Sequence, residues 1–348
     1  MQAVVMNARG GPEVLRPAAL PDPEPGPGEV RVRVRAVALN HLDVWVRKGV
    51  ASPELPLPHV LGSDVSGVVD ALGPGVEADL LGREVVLNPG LSCGRCEACL
   101  AGRDHLCPEY KILGEHVWGG YAEYVVVPRA NLLPKPSNLS FEEAAAVPLV
   151  FLTAWQMVVD KLQVRPGEWL LVMAAGSGVG SAALQIGRLF GARVLAAAGS
   201  EEKLERARAL GAERTVNYRE PGWHRRVREL TGGGAHAVAD HTGADFWEGV
   251  LKATRNGGRI ALVGASSGYL AQTPLAHVFY RQLTIYGSTM GSKARLFEVL
   301  RHVGSGRLRP VVGRVLPLER AAEAHRLLEE RAVFGKVVLS LSADDLGG

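Results

Sequence analysis

The chain has 348 residues, of which 47% are hydrophobic, 22% charged and 6% aromatic. This is a globular composition at a length that usually divides into two domains, and it excludes both disorder and a coiled coil. Lys plus Arg number 39 against 36 for Asp plus Glu, a formal charge of +3 that is too small to imply nucleic acid or another polyanion as partner.

The N-terminus, Met1-Gln2-Ala3-Val4-Val5, reaches Arg9 and Gly10 without an apolar signal region, which predicts a cytoplasmic protein. Val30, Val32 and Val34 then alternate with Arg31, Arg33 and Arg35. That period of two predicts a strand with one buried and one solvated face rather than a phosphate-binding patch. All four cysteines, Cys93, Cys96, Cys99 and Cys107, fall within residues 90–110. In a chain read as cytoplasmic this spacing argues against disulfides and for a closed tetrathiolate. Zinc suits it, with four soft ligands at about 2.3 Å, and Gly94 and Gly102 permit the tight turns between them. Four protein ligands leave no open coordination position, so one zinc per chain is expected to fold a lobe rather than to perform chemistry. The longest apolar stretch, Ala144 to Val159, contains Pro148, Thr153 and Gln156. It predicts a buried helix and no membrane span, which would need about 20 apolar residues.

From residue 167 the pattern changes to short apolar strands alternating with helices, the mark of an α/β doubly wound parallel sheet. Strands are predicted at Trp169 to Ala174, Arg193 to Ala198, Arg214 to Asn217, His236 to Ala239, Arg259 to Val263 and Leu283 to Tyr286, enough for a full Rossmann dinucleotide fold. The first strand runs into Ala174-Ala175-Gly176-Ser177-Gly178-Val179-Gly180 and a helix. Gly176, Ser177, Gly178, Val179 and Gly180 are the predicted pyrophosphate cradle, since helix N-terminal amides are unpaired and small residues let phosphate approach. An Asp or Glu at the end of the second strand would hold the ribose diol of NAD. Gly199-Ser200 stands there instead, with Lys203 one turn on. Ser200 and Lys203 therefore favour NADP(H) over NAD(H).

These features, with Leu61-Gly62-Ser63-Asp64-Val65-Ser66-Gly67, Gly119-Gly120-Tyr121-Ala122-Glu123-Tyr124 and Gly257-Gly258-Arg259-Ile260-Ala261-Leu262-Val263-Gly264, resemble the medium-chain dehydrogenase/reductase superfamily of zinc alcohol dehydrogenases and quinone oxidoreductases. The resemblance implies a GroES-like, mostly β catalytic domain from residues 1–150 and 288–348, a Rossmann domain from 151–287, and an active site in the cleft. It also implies nicotinamide contacts at Gly264, Ala265, Ser288 and Thr289, a pyrophosphate contact at His41, and a hydroxyl near the nicotinamide at Thr153.

The zinc alcohol dehydrogenases hold a catalytic zinc at positions that correspond here to Asn40, Ser63 and approximately Leu149. None is a good zinc ligand, because neutral oxygen donors bind zinc poorly beside thiolate or imidazole. Leu42 also replaces the proton-relay hydroxyl. The positions are more similar to the zinc-independent quinone and enone reductases, whose Asn-x-x-Asp-x-Tyr-x-Arg pattern is approximated by Asn40, Asp43, Trp45 and Arg47. Asn40 is the candidate hydrogen-bond donor to substrate, and Asn40, Asp43 and Thr153 are the candidate catalytic residues. A non-standard zinc site from His41, His59 and Asp64, an Asp64 that orients backbone or Arg47, and a Lys336 that reaches cofactor phosphate or sits at a strand edge are further expectations. The leading function is NADP(H)-dependent hydride transfer to a quinone or α,β-unsaturated carbonyl. An alcohol or aldehyde dehydrogenase, and a non-catalytic NADPH-binding protein, are the alternatives. The apolar sixth strand suggests a homodimer or homotetramer by edge pairing.

Overall fold

The computed structural model describes residues 1–341; residues 342–348 of the predicted returning segment lie outside the described residues. The chain forms two compact units, Met1–Leu149 together with the residues from Ser292 onward, and Val150–Gly291.

The first unit is built on a mostly antiparallel sheet whose central members, in spatial order, are Asp64–Leu72, Glu29–Ala38, Lys336–Ser340 and Val312–Pro317. In Glu29–Ala38 the predicted alternation holds. Val30, Val32 and Val34 are buried in the core with Val65, Tyr121 and Leu339, while Arg31 and Arg33 share Asp70 at 2.8 and 3.0 Å and lie over the Tyr124 ring. The register decides what meets at one end of this sheet. Ala38 lies opposite Asp64 on one side and opposite Val338 on the other. Two residues further along an antiparallel pair, Asn40 comes level with Lys336. The Lys336 strand is an interior strand, paired on both sides, so the strand-edge expectation for this lysine does not hold.

Helix His41–Lys48 ends on Gly49, whose φ of 74° provides the left-handed C-cap. Its Arg47 is fully buried. Arg47 does not pair with Asp64: Nε donates to the Gly10 carbonyl (3.0 Å), Nη1 to His325 Nδ1 (3.0 Å) and Nη2 to Glu329 (2.9 Å). The two side-chain partners come from helix Ala321–Glu329, which no local pattern could place next to Arg47. A guanidinium has no acceptor, so Nδ1 of His325 must be the unprotonated nitrogen and Nε2–H donates to the Tyr121 hydroxyl at 3.0 Å.

The second unit is the predicted parallel sheet, in spatial order Arg214–Asn217, Arg193–Ala198, Trp169–Val172, Ala235–Asp240, Thr254–Leu262 and Thr284–Gly287. The first strand sits in the middle and the order reverses there, the arrangement of a dinucleotide fold with its switch point beside that strand. The strand stops at Val172, short of the predicted Ala174, because Ala174 turns into the left-handed region at φ 43°. The apolar stretch 144–159 is helical and largely buried but interrupted. Phe141–Ala145 precedes the break at Pro148, Pro148–Trp155 follows, and Gln156–Lys161 relaxes to π-helix. No helix among the described residues is long and apolar enough to cross a membrane.

Burial, and then the charge of Arg47, holds the His325 imidazole down to about 3 from an ordinary 6.5. The unfolded chain therefore binds a proton that the folded chain refuses, and stability falls as the pH drops from about 6.5 towards 3. Urea unfolding across this range should give a shallower loss of stability for His325→Gln than for the parent chain; parallel curves would contradict the assignment.

Candidate functional site

The four cysteines come together as predicted. Their sulfurs lie within 4.8 Å of one another, and Cys93 Sγ is 3.9 Å from Cys99 Sγ, the spacing of a tetrahedral zinc site. Gly94 and Gly102 both take positive φ, 71° and 70°, and turn the chain between ligands. Cys107 Sγ accepts from the amides of Cys93 (3.4 Å) and Glu109 (3.3 Å). The amides of Arg95 and Cys96 hold the Cys93 thiol down to about 6, which favours the thiolate a metal needs. Lys293 donates from Nζ to Ser92 Oγ (3.2 Å) and from its amide to Asp104 (3.0 Å), and so brings a cation to the thiolate lobe. These residues fit a structural zinc. Among the described residues this is the one cluster of three or more His, Cys, Asp or Glu side chains able to hold a metal.

A second polar cluster gathers Asn40, Ser63, Asp64 and Leu149, the positions where the resemblance leads one to look for a catalytic metal. Asp43 bridges two loops: one carboxylate oxygen accepts from the Asn40 amide (2.7 Å) and the other from the Gly62 amide (3.0 Å). Burial pushes its carboxyl up to about 7, against the two amides, which favour the charged form. Asp64, fully buried, accepts from the Leu149 amide (2.7 Å), from Asn40 Nδ2 (3.0 Å) and from Lys336 Nζ (3.0 Å). Asn40 Oδ1 accepts from Lys336 Nζ at 2.6 Å, and Asn40 Nδ2 also reaches the Ala38 carbonyl at 3.4 Å. Both N–H groups of the Asn40 amide are thus engaged within the protein, and the donor expected of Asn40 is already committed. The Ser63 hydroxyl is buried and has no hydrogen-bond partner.

The donors here do not fit a catalytic zinc. An amide oxygen, a hydroxyl and a carboxylate already bound by an ammonium offer no soft ligand. The non-standard alternative also fails, because His59 Nε2 is engaged by the Gly114 carbonyl at 3.1 Å and forms no cluster with His41 and Asp64. Burial, then the charges of Arg331 and Lys336, lowers His41 to about 4, so its imidazole is neutral at neutral pH. Thr153 is buried in the helix Pro148–Trp155 of the second unit.

In the second unit Ser177 caps the helix Gly178–Leu189, its Oγ accepting from the Gly180 amide at 2.9 Å and lying 2.7 Å from His241 Nε2. A Cβ on Gly180 would come 2.4 Å from the Ala174 carbonyl oxygen, so only glycine lets the helix start this close to the strand. Gly264 takes φ 68° after the fifth strand, and Ala265 packs against Gly243. Ser288 keeps a buried hydroxyl with no partner, while Thr289 is exposed. A glycine cradle at a helix N-terminus and an orphaned hydroxyl beyond the strand ends fit a nicotinamide dinucleotide. Ser200 caps the next helix and accepts from the Lys203 amide (3.5 Å). Glu201 is drawn to Arg208 at 2.6 Å. Sequence reasoning missed Arg219, whose guanidinium lies about Gly199: a Cβ there would be 2.9 Å from Nε and 3.2 Å from the Tyr218 ring. Pairing of Ala198 with Asn217 sets these two strand ends side by side, and the expected parallel pairing of successive strands was the signal that could have located it.

Metal analysis of the purified chain should find one zinc per chain. Its removal by a chelator should lower the melting temperature by on the order of 10 °C; a second tightly held equivalent would contradict the reading of the Asn40 cluster.

Comparisons with known proteins agree with this architecture. Residues 26–137 match the alcohol dehydrogenase GroES-like domain and residues 178–305 the zinc-binding dehydrogenase domain. An alcohol dehydrogenase of Geobacillus stearothermophilus is 31% identical, over 88% of this chain and 90% of its own. A crystal structure of an NAD-dependent alcohol dehydrogenase is 73% identical with a TM-score of 0.96, covering 98% of this chain and all of its own. A crotonyl-CoA carboxylase/reductase solved in complex with NADP is 26% identical with a TM-score of 0.90, over 98% of this chain and 94% of its own. The GroES-like unit, the Rossmann unit and these relatives together identify the chain as a member of the zinc-containing medium-chain dehydrogenase/reductase superfamily and an NAD(P)-dependent oxidoreductase.

Proposed function

We propose that this chain reduces a quinone or an α,β-unsaturated carbonyl with NADPH, its zinc serving structure alone. The observation that carries the reading is the donor set around Asn40, Ser63 and Asp64, where an internal ammonium takes the carboxylate that a metal would need. The reduced cofactor supplies a hydride. The protein's part is to hold an electron-poor acceptor in line and to place hydrogen-bond donors at its oxygen. In this reading Asp43 fixes the Asn40 loop to the Gly62 loop through two backbone amides, and Thr153 and His41 are the candidates for a nicotinamide and a pyrophosphate contact. NADPH is favoured because Gly199 and Ser200 stand where a ribose-binding carboxylate would end the second strand, the next acid, Glu201, is drawn to Arg208, and Ser200, Lys203 and Arg219 gather around the strand end. A second reading, an alcohol or aldehyde dehydrogenase, is supported by the 73% and 31% identical relatives, both alcohol dehydrogenases.

One set of measurements separates these. Fluorescence titration should give NADPH the tighter constant by roughly tenfold, lost in Arg219→Ala; tighter NADH binding reverses the cofactor assignment. NADPH oxidation should proceed with a quinone or an enone and be slower with an aldehyde; robust NAD-linked oxidation of alcohols would favour the second reading.

The sixth strand, Thr284–Gly287, ends the sheet with exposed residues, Ile285 among them. An edge of this kind invites pairing with a second copy across a two-fold axis. Light scattering should report a dimer or tetramer, and the mass of one chain would refute it.

A further inference from the structure

The dinucleotide cradle of the second unit departs from its pattern at a position that a histidine contacts. Against Gly-x-Gly-x-x-Gly the register is Ala175, Ser177 and Gly180. The middle glycine of that pattern is the one that lets bare backbone approach a pyrophosphate, and here it is Ser177. The serine also takes a donor out of the cradle. Its Oγ accepts from the Gly180 amide at 2.9 Å, one of the first-turn amides that a helix start otherwise offers to an anion. His241 stands against the same oxygen, its Nε2 2.7 Å from Ser177 Oγ. It comes from the turn after Ala235–Asp240, the strand that pairs with Trp169–Val172. That turn is held firmly: Asp240 Oδ1 accepts from the Thr242 amide (2.9 Å) and hydroxyl (2.6 Å), and the Thr242 carbonyl accepts from the Ser267 amide at 2.8 Å. Ser177 and His241 are both only half-buried, so the pair keeps surface that a ligand can reach.

We propose that His241 is a positioning residue for the cofactor pyrophosphate: its Nε2–H donates to Ser177 Oγ and thereby directs the serine hydroxyl proton to a phosphate oxygen. A hydroxyl has one proton and two lone pairs. The Gly180 amide fills one lone pair. Were the hydroxyl proton given to Nε2 instead, the second lone pair would be what the serine presents to an anion, and the two would repel. With Nε2–H as the donor both lone pairs are filled, and the proton is left for the phosphate. An anion in the cradle therefore selects the Nε2–H tautomer, and the hydrogen bonds from imidazole to hydroxyl to phosphate polarise one another in the same direction. Ser177 thus gives back to the cradle the donor it took at Gly180, now on a side chain rather than on backbone. This role rests on the proposed function only for a nicotinamide dinucleotide as ligand. NADH and NADPH share the pyrophosphate, so neither the cofactor preference nor the identity of the acceptor enters it.

A double-mutant cycle read by fluorescence titration tests the coupling without turnover. His241→Leu should weaken NADPH and NADH by the same factor, about tenfold. In a Ser177→Gly background, which restores the middle glycine of the pattern and costs little as a helix cap, the same His241→Leu replacement should change either constant by less than about twofold. Equal losses in the two backgrounds, no loss in the parent background, or a loss confined to NADPH overturns the proposal, the last by assigning His241 to the 2′-phosphate. Tighter binding of NADH than NADPH with the coupling intact rejects the cofactor preference and supports the His241 role, whereas a parent chain that binds neither dinucleotide overturns both. A second measurement keeps the test independent of how well the leucine variant folds. In the parent chain carrying isotope-labelled histidine, at about pH 8 where an ordinary imidazole is neutral, the nuclear magnetic resonance signal missing from His241→Gln should report the Nε2–H tautomer once NADP is bound. An Nδ1–H tautomer in that complex overturns the proposal.

Discussion

The ammonium of Lys336 is enclosed by Asn40 and Asp64 at 2.6 and 3.0 Å, with almost no access to water. Taking an ammonium and a carboxylate out of solvent costs several kcal/mol each, and their attraction offsets this only when the remaining lone pairs and protons are also satisfied. The cluster meets most of that condition, since Asp64 accepts three hydrogen bonds and the asparagine amide is fully used. Such a pair is weak evidence for stability and better evidence for specificity of arrangement. It ties together three strands of one sheet, and the loops that follow or precede those strands take their positions from it.

The same arrangement shows why the residues gathered here suit an internal ammonium better than a metal ion. Zinc and ammonium are both cations, but zinc needs soft, deprotonated ligands, whereas an ammonium needs hard acceptors such as an amide oxygen and a carboxylate. Asn40 and Asp64 therefore suit the ammonium of Lys336 rather than a zinc ion. The tetrathiolate at Cys93, Cys96, Cys99 and Cys107 is a separate matter, closed to substrate by its four ligands and confined to one lobe. The two clusters thus differ in kind, four thiols suited to a metal and an internal ammonium paired with a carboxylate.

A comparable division runs through the helix His41–Lys48. Its first turn carries the polar residues of the cluster, with Asp43 bonded to two backbone amides. Its last turn carries Arg47 into a network with His325, Glu329 and Tyr121. A helix gripped at both ends has little freedom to shift, which suits a site whose donors must stay within a fraction of an ångström of where charge develops.

Much of this was legible from residue order because it is local. Four cysteines within fifteen positions form one cage whatever surrounds them, the Val and Arg alternation at 30–35 gives a two-faced strand, and the six Rossmann strands lie within a few residues of their apolar runs. Poor zinc ligands at Asn40, Ser63 and Leu149 could likewise be recognised one position at a time. Tertiary structure alone decided who meets whom across long separations. Lys336 reaches Asn40 over 296 residues and Asp64 over 272, Arg47 turns to a helix near the other end of the chain, and Arg219 arrives beside Gly199 through parallel strand pairing. The physical reason is that a side chain's type limits which partners it can satisfy, while sheet register determines which of those partners is within reach.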